Sequence, residues 1–328
     1  MRIVSGVQPS GSLHLGNYLG AIRRFAALQQ DPRYECAFFV ADLHAMTSVH
    51  DGNELRSLTL QVATDYLALG LDPDRSVIYR QSDLPQVTEL AWMLSTVTPM
   101  GLLQRGHAYK DKLARGITPS HGLFAYPVLM AADVLIVRAD RVPVGHDQKQ
   151  HLEMTRDIAA AFNHVHGEEV LRLPEADVLP ETAVVPGIDG QKMSKSYGNA
   201  IPLFAPEGEI RSRVMSIVTD STPLGAPKPT QGSPLHRLLE LLTPREEWPA
   251  TARLFTEGGH GYGEIKSRLL GLILETFRAA RVRREELLAD PGFVEAVLRA
   301  GGERAKALAD PVLADCRRVC GLGTGPAP

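Results

Sequence analysis

Two lysines stand three apart in Lys192-Met193-Ser194-Lys195-Ser196, between Gly187, Gly190 and Gly198, in a stretch with neither helical nor strand periodicity. Two ammonium groups on a glycine-hinged loop can close over a triphosphate and neutralise charge building on the α-phosphate and the departing pyrophosphate. Positioning and electrostatics are most of such chemistry. A solvated lysine loop is the bland alternative, yet five specified residues arise by chance in a chain of this length only about once in ten thousand sequences.

A second anion-binding feature lies near the N-terminus, where a short apolar run gives way to Gly6-Val7-Gln8-Pro9-Ser10-Gly11-Ser12-Leu13-His14-Leu15-Gly16-Asn17 and a helical pattern follows. Glycine lets backbone approach a ligand, and a helix N-terminus offers unpaired N–H groups and partial positive charge to a polyphosphate. His14 and Asn17, on the first turn, are both able to donate to it. Alone, the same residues also read as a capped tight turn with a surface histidine.

The third feature is a carboxylate in an apolar run, Asp133 within Tyr126 to Val137. A buried ionised group costs several kcal/mol unless it is paired, so Asp133 needs an N-cap, a cation or a ligand donor. An indole N–H is donor-only and an ionised Asp acceptor-only, which makes tryptophan a chemically apt ligand. A tyrosine hydroxyl would also serve, and so would a structural ion pair.

Elements able to position these groups follow from the pattern of the chain. Short apolar runs at Arg2 to Ser5, Cys36 to Ala41, Ser76 to Arg80 and Arg141 to Val144 alternate with helical stretches, the signature of a doubly wound (Rossmann-like) α/β parallel sheet. Leu55, Leu58, Val62, Tyr66 and Leu69 form the apolar stripe of a helix over Glu54 to Leu69, closed by Gly70. After Asn199 the pattern is helical, with helices expected at Glu207 to Val218, Pro234 to Leu242, Glu264 to Leu288 and Pro291 to Ala309, and a Pro/Gly-rich loop over Thr219 to Pro234. Two domains are expected, residues 1–199 and a smaller helical one of residues 200–328.

His14-Leu15-Gly16-Asn17 and Lys192 to Ser196 together resemble the two signatures of class I aminoacyl-tRNA synthetases. The blocks Gly6 to Gly11, Ala41-Asp42-Leu43-His44-Ala45, Tyr126 to Asp133, Val142 to Gly145, Asp147 to Leu152, Val218 to Ser221 and Gly261-Tyr262-Gly263 look like those of the tryptophanyl-tRNA synthetase family, nearly end to end. The resemblance implies ATP-dependent activation of tryptophan and its transfer to tRNA(Trp), with Mg2+ on the triphosphate. It implies His14, Asn17, Lys110, Lys192 and Lys195 at the phosphates and the transition state. Gln8, Pro9, Ser10, Gly16, Gly145, Met193 and Ser194 would flank the nucleotide, with Asp147 at the ribose. Asp133 would take the indole nitrogen, with Val4, His44, Met130, Val142 and Val144 around the ring and Tyr126 and Gln148 on the amino and carboxylate groups. The same resemblance implies a homodimer whose helical domain reads the anticodon. Tyrosyl-tRNA synthetases, and a non-catalytic tryptophan- or partner-binding paralogue, are the alternative readings.

The chain departs from the family at Val4, where an aromatic is frequent, at His146, where an acidic residue is usual, and at Tyr197-Gly198, where many bacterial members carry Asp. His146, Asp147 and His151 do not make a convincing zinc set, since 146 and 151 point to different sides of a helix, and no metal site is expected.

Composition bounds the rest. In 328 residues, 44% hydrophobic and 22% charged is ordinary globular usage, and a net charge of -3 provides no global attraction to nucleic acid. Residues 265–328 hold 11 Lys+Arg against 8 Asp+Glu, so the C-terminal end is the expected polyanion face, with Lys266, Arg268, Arg278, Arg281, Arg283 and Arg284 along one helix; an ordinary solvated face reads equally well there. Cys36, Cys316 and Cys320 form no disulfide framework or C-x-x-C motif, which fits a reducing, cytoplasmic setting. No apolar run is long enough to span a bilayer, so no membrane contact is expected.

Overall fold

The expected sheet forms because helices cover both of its faces. In the computed structural model, which describes residues 1–106, 109–110, 118–145, 149–178 and 185–323, strands β1 (Arg2–Val7) and β2 (Glu35–Val40) pair in parallel over six residues. Cys36 to Val40 are all buried, the pattern of a strand walled on both sides. Strands β3 (Ser76–Arg80), β4 (Arg141–Val144) and β5 (Glu175–Val178) complete a parallel sheet of order β3-β2-β1-β4-β5.

Chain order reverses between β1 and β4, and ligands bind such sheets outside the carboxyl ends of the strands at that point. Register between β1 and β4 is confined to Ile3 opposite Arg141. Beyond it the two strands bound a crevice.

The first crossover begins with α1 (Leu15–Asn17), passes through a π-helical turn at Tyr18–Ile22 and ends in α2 (Arg23–Leu28). After β2 come α3 (Asp42–Ala45) and α4 (Gly52–Ala68), the latter N-capped by the Asp51 side chain on the Glu54 N–H. Helices α5 (Gln86–Ser95), α6 (Met100–Leu103) and α7 (His121–Leu135) lie between β3 and β4, and α8 (Lys149–His166) between β4 and β5. Beyond residue 200 follow α9 (Glu207–Met215), α10 (Pro234–Leu242), α11 (Trp248–Thr256), α12 (Tyr262–Thr276), α13 (Arg278–Ala289) and α14 (Pro291–Val319).

Four features differ from the sequence expectation. Strand β5 is added, its Glu175-Ala176-Asp177-Val178 too polar to register as a strand. Helix α11 was not expected. The helix expected over 264–288 breaks at Phe277, which turns inward to meet Tyr18 edge-on at a centroid distance of 4.7 Å. The last helix runs on to Val319 through Pro311, which removes one helix hydrogen bond; burial of Ala305, Ala309, Val312, Leu313 and Cys316 offsets the loss.

Helix α14 returns to the sheet and lies on β3. A Cβ on Gly301 would stand 1.7 Å from the Ile78 carbonyl oxygen, so the helix backbone rests directly on the strand. Phe25, Phe38 and Tyr66 share one apolar interior with Leu235, Leu238, Phe255, Leu269 and Phe277, and Val294 and Leu298 of α14 join it.

The basic stretch between 265 and 288 is divided between side chains turned inward and side chains left exposed. Lys266 donates to the Met215 carbonyl at 2.9 Å, Arg281 to the carbonyls of Leu203 and Ala205, and Arg284 pairs with buried Asp65 at 2.6 Å. Arg268, Arg278 and Arg283 pair with Glu247, Glu275 and Glu286. These three arginines remain exposed, so half of the six basic side chains stay on the surface. Among the described residues no helix is long and apolar enough to cross a membrane.

Candidate active site

The crevice between β1 and β4 opens into a cavity of about 360 Å³ walled by Val4, Ser5 and Gly6 of β1, Val142, Pro143 and Val144 of β4, Phe39 and Ala41 at the end of β2, and His44, Tyr126, Met130 and Asp133 from helices α3 and α7. Its walls are mostly apolar and its polar groups few, as suits a site that orients one apolar side chain. Gly6 is required here, because a Cβ would fall 2.6 Å from the Phe39 ring.

Asp133 is 2% exposed and accepts three hydrogen bonds. Gln81 Nε2 donates to both carboxylate oxygens at 2.9 Å, and His44 Nε2 lies 3.0 Å from Oδ2. Gln81 is itself fixed, because its Oε1 accepts from the Leu43 and His44 N–H groups at the start of α3. That start is anchored in turn by Asp42, whose Oδ1 accepts from the Ser82 N–H at 3.0 Å. An ionised carboxylate has about four acceptor positions, so one remains for a ligand N–H or O–H. Burial raises the Asp133 pKa, while His44 and Gln81 oppose the shift; a donor in the cavity would oppose it further. Tyr126 shares a 2.5 Å hydrogen bond with His151 Nε2 on α8.

A second cavity of about 680 Å³ adjoins the first, and Ser5, Gly6, Gln8 and Pro143 line both. On one side are Ser10, His14, Gly16 and Asn17; on the other Gly145, Lys192, Met193, Ser194, Lys195 and Tyr197. The expected phosphate turn is a capping box: His14 Nδ1 accepts from the Asn17 N–H at 3.3 Å, and Asn17 Oδ1 from the His14 N–H at 3.0 Å. An accepting Nδ1 assigns the neutral Nε2–H tautomer, which leaves His14 a donor toward the cavity. Burial, and then the Lys195 charge, lower its pKa to about 4.

The lysine loop is folded onto that turn. The Gly16 N–H meets Met193 Sδ at 3.2 Å, and a Cβ on Gly16 would lie 2.9 Å from the His14 ring and 3.2 Å from Met193, so only glycine lets the two segments meet. Asn199 clasps the loop from beneath, accepting from the Ser194 N–H at 2.8 Å and donating to Asp189 and the Lys192 carbonyl. Lys195 sits over Gly11, whose φ is +113°, with Nζ 3.2 Å from where a Cβ would be. Burial lowers its pKa to about 8, against the pull of Asp65.

Seven of the eight residues expected around an amino-acid ligand, Val4, His44, Tyr126, Met130, Asp133, Val142 and Val144, therefore line one cavity, and His14, Asn17, Lys192 and Lys195 the other. Gln148, Asp147 and His146 lie outside the described residues. Pro9 is buried and Lys110 is exposed, and neither lines either of these two cavities. Gln81, Asn199 and His151 were not foreseen as site residues. The place of Gln81, one residue past the carboxyl end of a parallel strand, is the signal that could have found it.

A family model described as tRNA synthetases class I (W and Y) matches residues 1–237. The chain is similar to the tryptophan–tRNA ligase of Fusobacterium nucleatum, at 48% identity over 321 residues covering 98% of each chain. It is similar to that of Rhodopirellula baltica at 49% identity, covering 98% of this chain and 100% of that one. Among solved structures, tryptophanyl-tRNA synthetase from Campylobacter jejuni complexed with ADP and tryptophan matches with a TM-score of 0.88 at 44% identity, covering 98% of this chain and 100% of that one.

Proposed function

Because this chain belongs to the class I tRNA synthetases of the tryptophan and tyrosine group, we propose that its two adjoining cavities divide the work of a tryptophan–tRNA ligase between them. The chain is an enzyme of that kind: it activates L-tryptophan with ATP, releasing pyrophosphate, and transfers the tryptophanyl group to the 3'-terminal ribose of tRNA(Trp). The observation that carries the division is the shared wall, Ser5, Gly6, Gln8 and Pro143, where the two cavities meet.

Tryptophan lies with its ring between β1 and β4 and its indole N–H on the open acceptor position of Asp133. Tyr126 and Gln148 hold the amino and carboxylate ends. ATP occupies the second cavity with its phosphates on the α1 terminus, where the Gly16 and Asn17 backbone, the His14 Nε2–H, Lys192 and Lys195 converge. A tryptophan carboxylate oxygen then attacks the α-phosphorus across the shared wall, and pyrophosphate leaves toward the lysine loop. The chain supplies orientation and positive charge, and no side chain forms a bond to the reacting phosphorus. ATP enters as its magnesium complex, the form in which its phosphates hold the ion.

Residues 1–199 serve as the catalytic domain and residues 200–328 as the helical tRNA-binding domain, joined through α14 on β3. Since Lys266, Arg281 and Arg284 are committed inward, the tRNA contact uses other residues of that region. Exposed Trp92 and Met46, at the rim of a further cavity beside α5 and α7, support association with a second copy of the chain. The setting is cytoplasmic, in keeping with free Cys36, Cys316 and Cys320.

ATP–pyrophosphate exchange, measured with each of the twenty amino acids in the presence of magnesium and the absence of tRNA, tests the reading. Exchange with tryptophan alone is expected. Exchange with tyrosine would move the chain to the sister enzyme, and none with any amino acid would mean a binding protein without catalysis.

A further inference from the structure

Asp65, on the inner face of α4, has no part in the chemistry described so far. It is fully buried, and a carboxylate so placed demands a reason. Its Oδ1 accepts from Arg284 Nε of α13 at 2.6 Å, while its Oδ2 is buried with no hydrogen-bond partner among the described residues. A second cation, Lys195, lies over Gly11 with Nζ 3.2 Å from where a Cβ would be, on the turn that leads to Leu13, and the charges of Asp65 and Lys195 act on each other.

The turn between them is held from the same directions. Gln61, one helical turn before Asp65, donates to Ser12 Oγ at 3.0 Å. Arg281, one turn before Arg284, donates to the carbonyls of Leu203 and Ala205, and the Leu203 N–H donates to the Leu13 carbonyl at 3.2 Å. Helices α4 and α13 are thus both tied to the phosphate turn, α4 through Gln61 and α13 through Leu203, and the Asp65–Arg284 pair joins the two helices.

We propose that Asp65 is a positioning residue for Lys195: a carboxylate shared between Arg284 of the helical region and the catalytic lysine, holding that ammonium over the phosphate turn before ATP arrives. The two cations divide one charge. Arg284 takes one oxygen through a hydrogen bond, and the charge left on the carboxylate supplies the field that keeps Lys195 from swinging to solvent. When the triphosphate binds it takes Lys195 over, and Asp65 stays paired with Arg284. The groups facing Asp65 agree with this: burial lifts its pKa to about 6 against the pull of Arg284, the Leu13 N–H and Lys195. Because Arg284 lies on α13, a displacement of that helix changes how much of the Asp65 charge Lys195 feels.

The proposal rests on the ATP reading of the second cavity, and a double-mutant cycle in ATP–pyrophosphate exchange separates the two. Asp65→Asn, which keeps an acceptor for Arg284, is expected to lower the exchange rate about tenfold at saturating tryptophan, with tryptophan affinity by calorimetry unchanged. In a Lys195→Ala background the same substitution is expected to change the residual rate less than twofold, because Asp65 acts through that lysine. Asp65→Leu joined to Arg284→Met removes both charges of the pair, leaves no orphan in the interior, and is expected to repeat the pattern. Equal factors in both backgrounds, or no loss in the wild-type background, from either variant that retains tryptophan binding would overturn the proposal. An inactive wild-type enzyme would overturn the ATP reading instead.

Discussion

Gln81 Nε2 lies 2.9 Å from each oxygen of Asp133 and binds the carboxylate as a fork, while its own Oε1 is held by two backbone N–H groups of α3. The orientation of that amide is therefore settled by its partners, and so is the sign of what Asp133 must be: an acceptor on every side.

Replacing Asp133 by Asn puts an NH2 group where donors already converge. One of the Gln81 or His44 donors is left unpaired, and the acceptor offered to an indole is lost. We predict a fall in kcat/KM for tryptophan of about 10²-fold or more with little change in KM for ATP. Gln81→Leu, which leaves the charge but not its orientation, should cost about tenfold. Wild-type-like activation by Asp133→Asn would remove Asp133 from the substrate site.

Lys195, held down to a pKa of about 8 by burial, loses its charge as the pH rises past that value. Since kcat/KM reports the free enzyme, kcat/KM for ATP in the exchange reaction is predicted to fall above about pH 8. Lys195→Arg, whose cation persists, should lack that limb. A descending limb identical in both proteins would assign it to another group.

His14 titrates at the acid end. Its pKa in the folded chain, about 4, lies below the ordinary histidine value of 6.5, so folding favours the neutral ring that accepts from the Asn17 N–H. The stability it contributes is whole above pH 6.5 and is lost as the pH falls through 4. His14→Asn keeps a capping side chain without this titration. The stability difference between wild type and His14→Asn, from urea midpoints, should shrink between pH 6.5 and 4, and a flat difference would contradict the assigned tautomer. Asp65, raised to about 6, gains stability over part of the same range, but it is present in both proteins and cancels.

Gly301 and Gly271 are both helical glycines with opposite predicted outcomes. A Cβ at 301 would strike the Ile78 carbonyl, so Gly301→Ala should destabilise by about 1–3 kcal/mol by pushing α14 off β3. Nothing lies within 4 Å of a Cβ at 271, so Gly271→Ala should stabilise by about 0.5–1 kcal/mol. Denaturant midpoints of the two variants check both signs.

What was legible from residues alone follows a physical division. Strands β1 to β4 and the two phosphate-facing segments carry their own signals: buried apolar runs, glycines at close approaches, and charges with no structural reason to be there. Asp133 was legible because a carboxylate in an apolar run must be paired. Its protein partner Gln81 was not, since a glutamine after a strand looks like any polar turn residue until the fold brings α3 and α7 to it. Arg284 was read as part of a basic face because a helix pattern does not reveal that Asp65, 219 residues earlier in the chain, waits beneath it. Strand β5 and the continuation of α14 through Pro311 are tertiary outcomes, in which pairing and packing prevail over local polarity and over proline.

The most direct test of the central claim, that Asp133 selects its ligand through the indole N–H, is calorimetric binding of tryptophan against its benzothienylalanine analogue, in which sulfur replaces that N–H at nearly the same shape. Tryptophan should bind at least about 10²-fold more tightly than the analogue, with the gap closing in Asp133→Asn. Equal affinities for the wild-type protein would show that the cavity reads shape alone and would contradict the account.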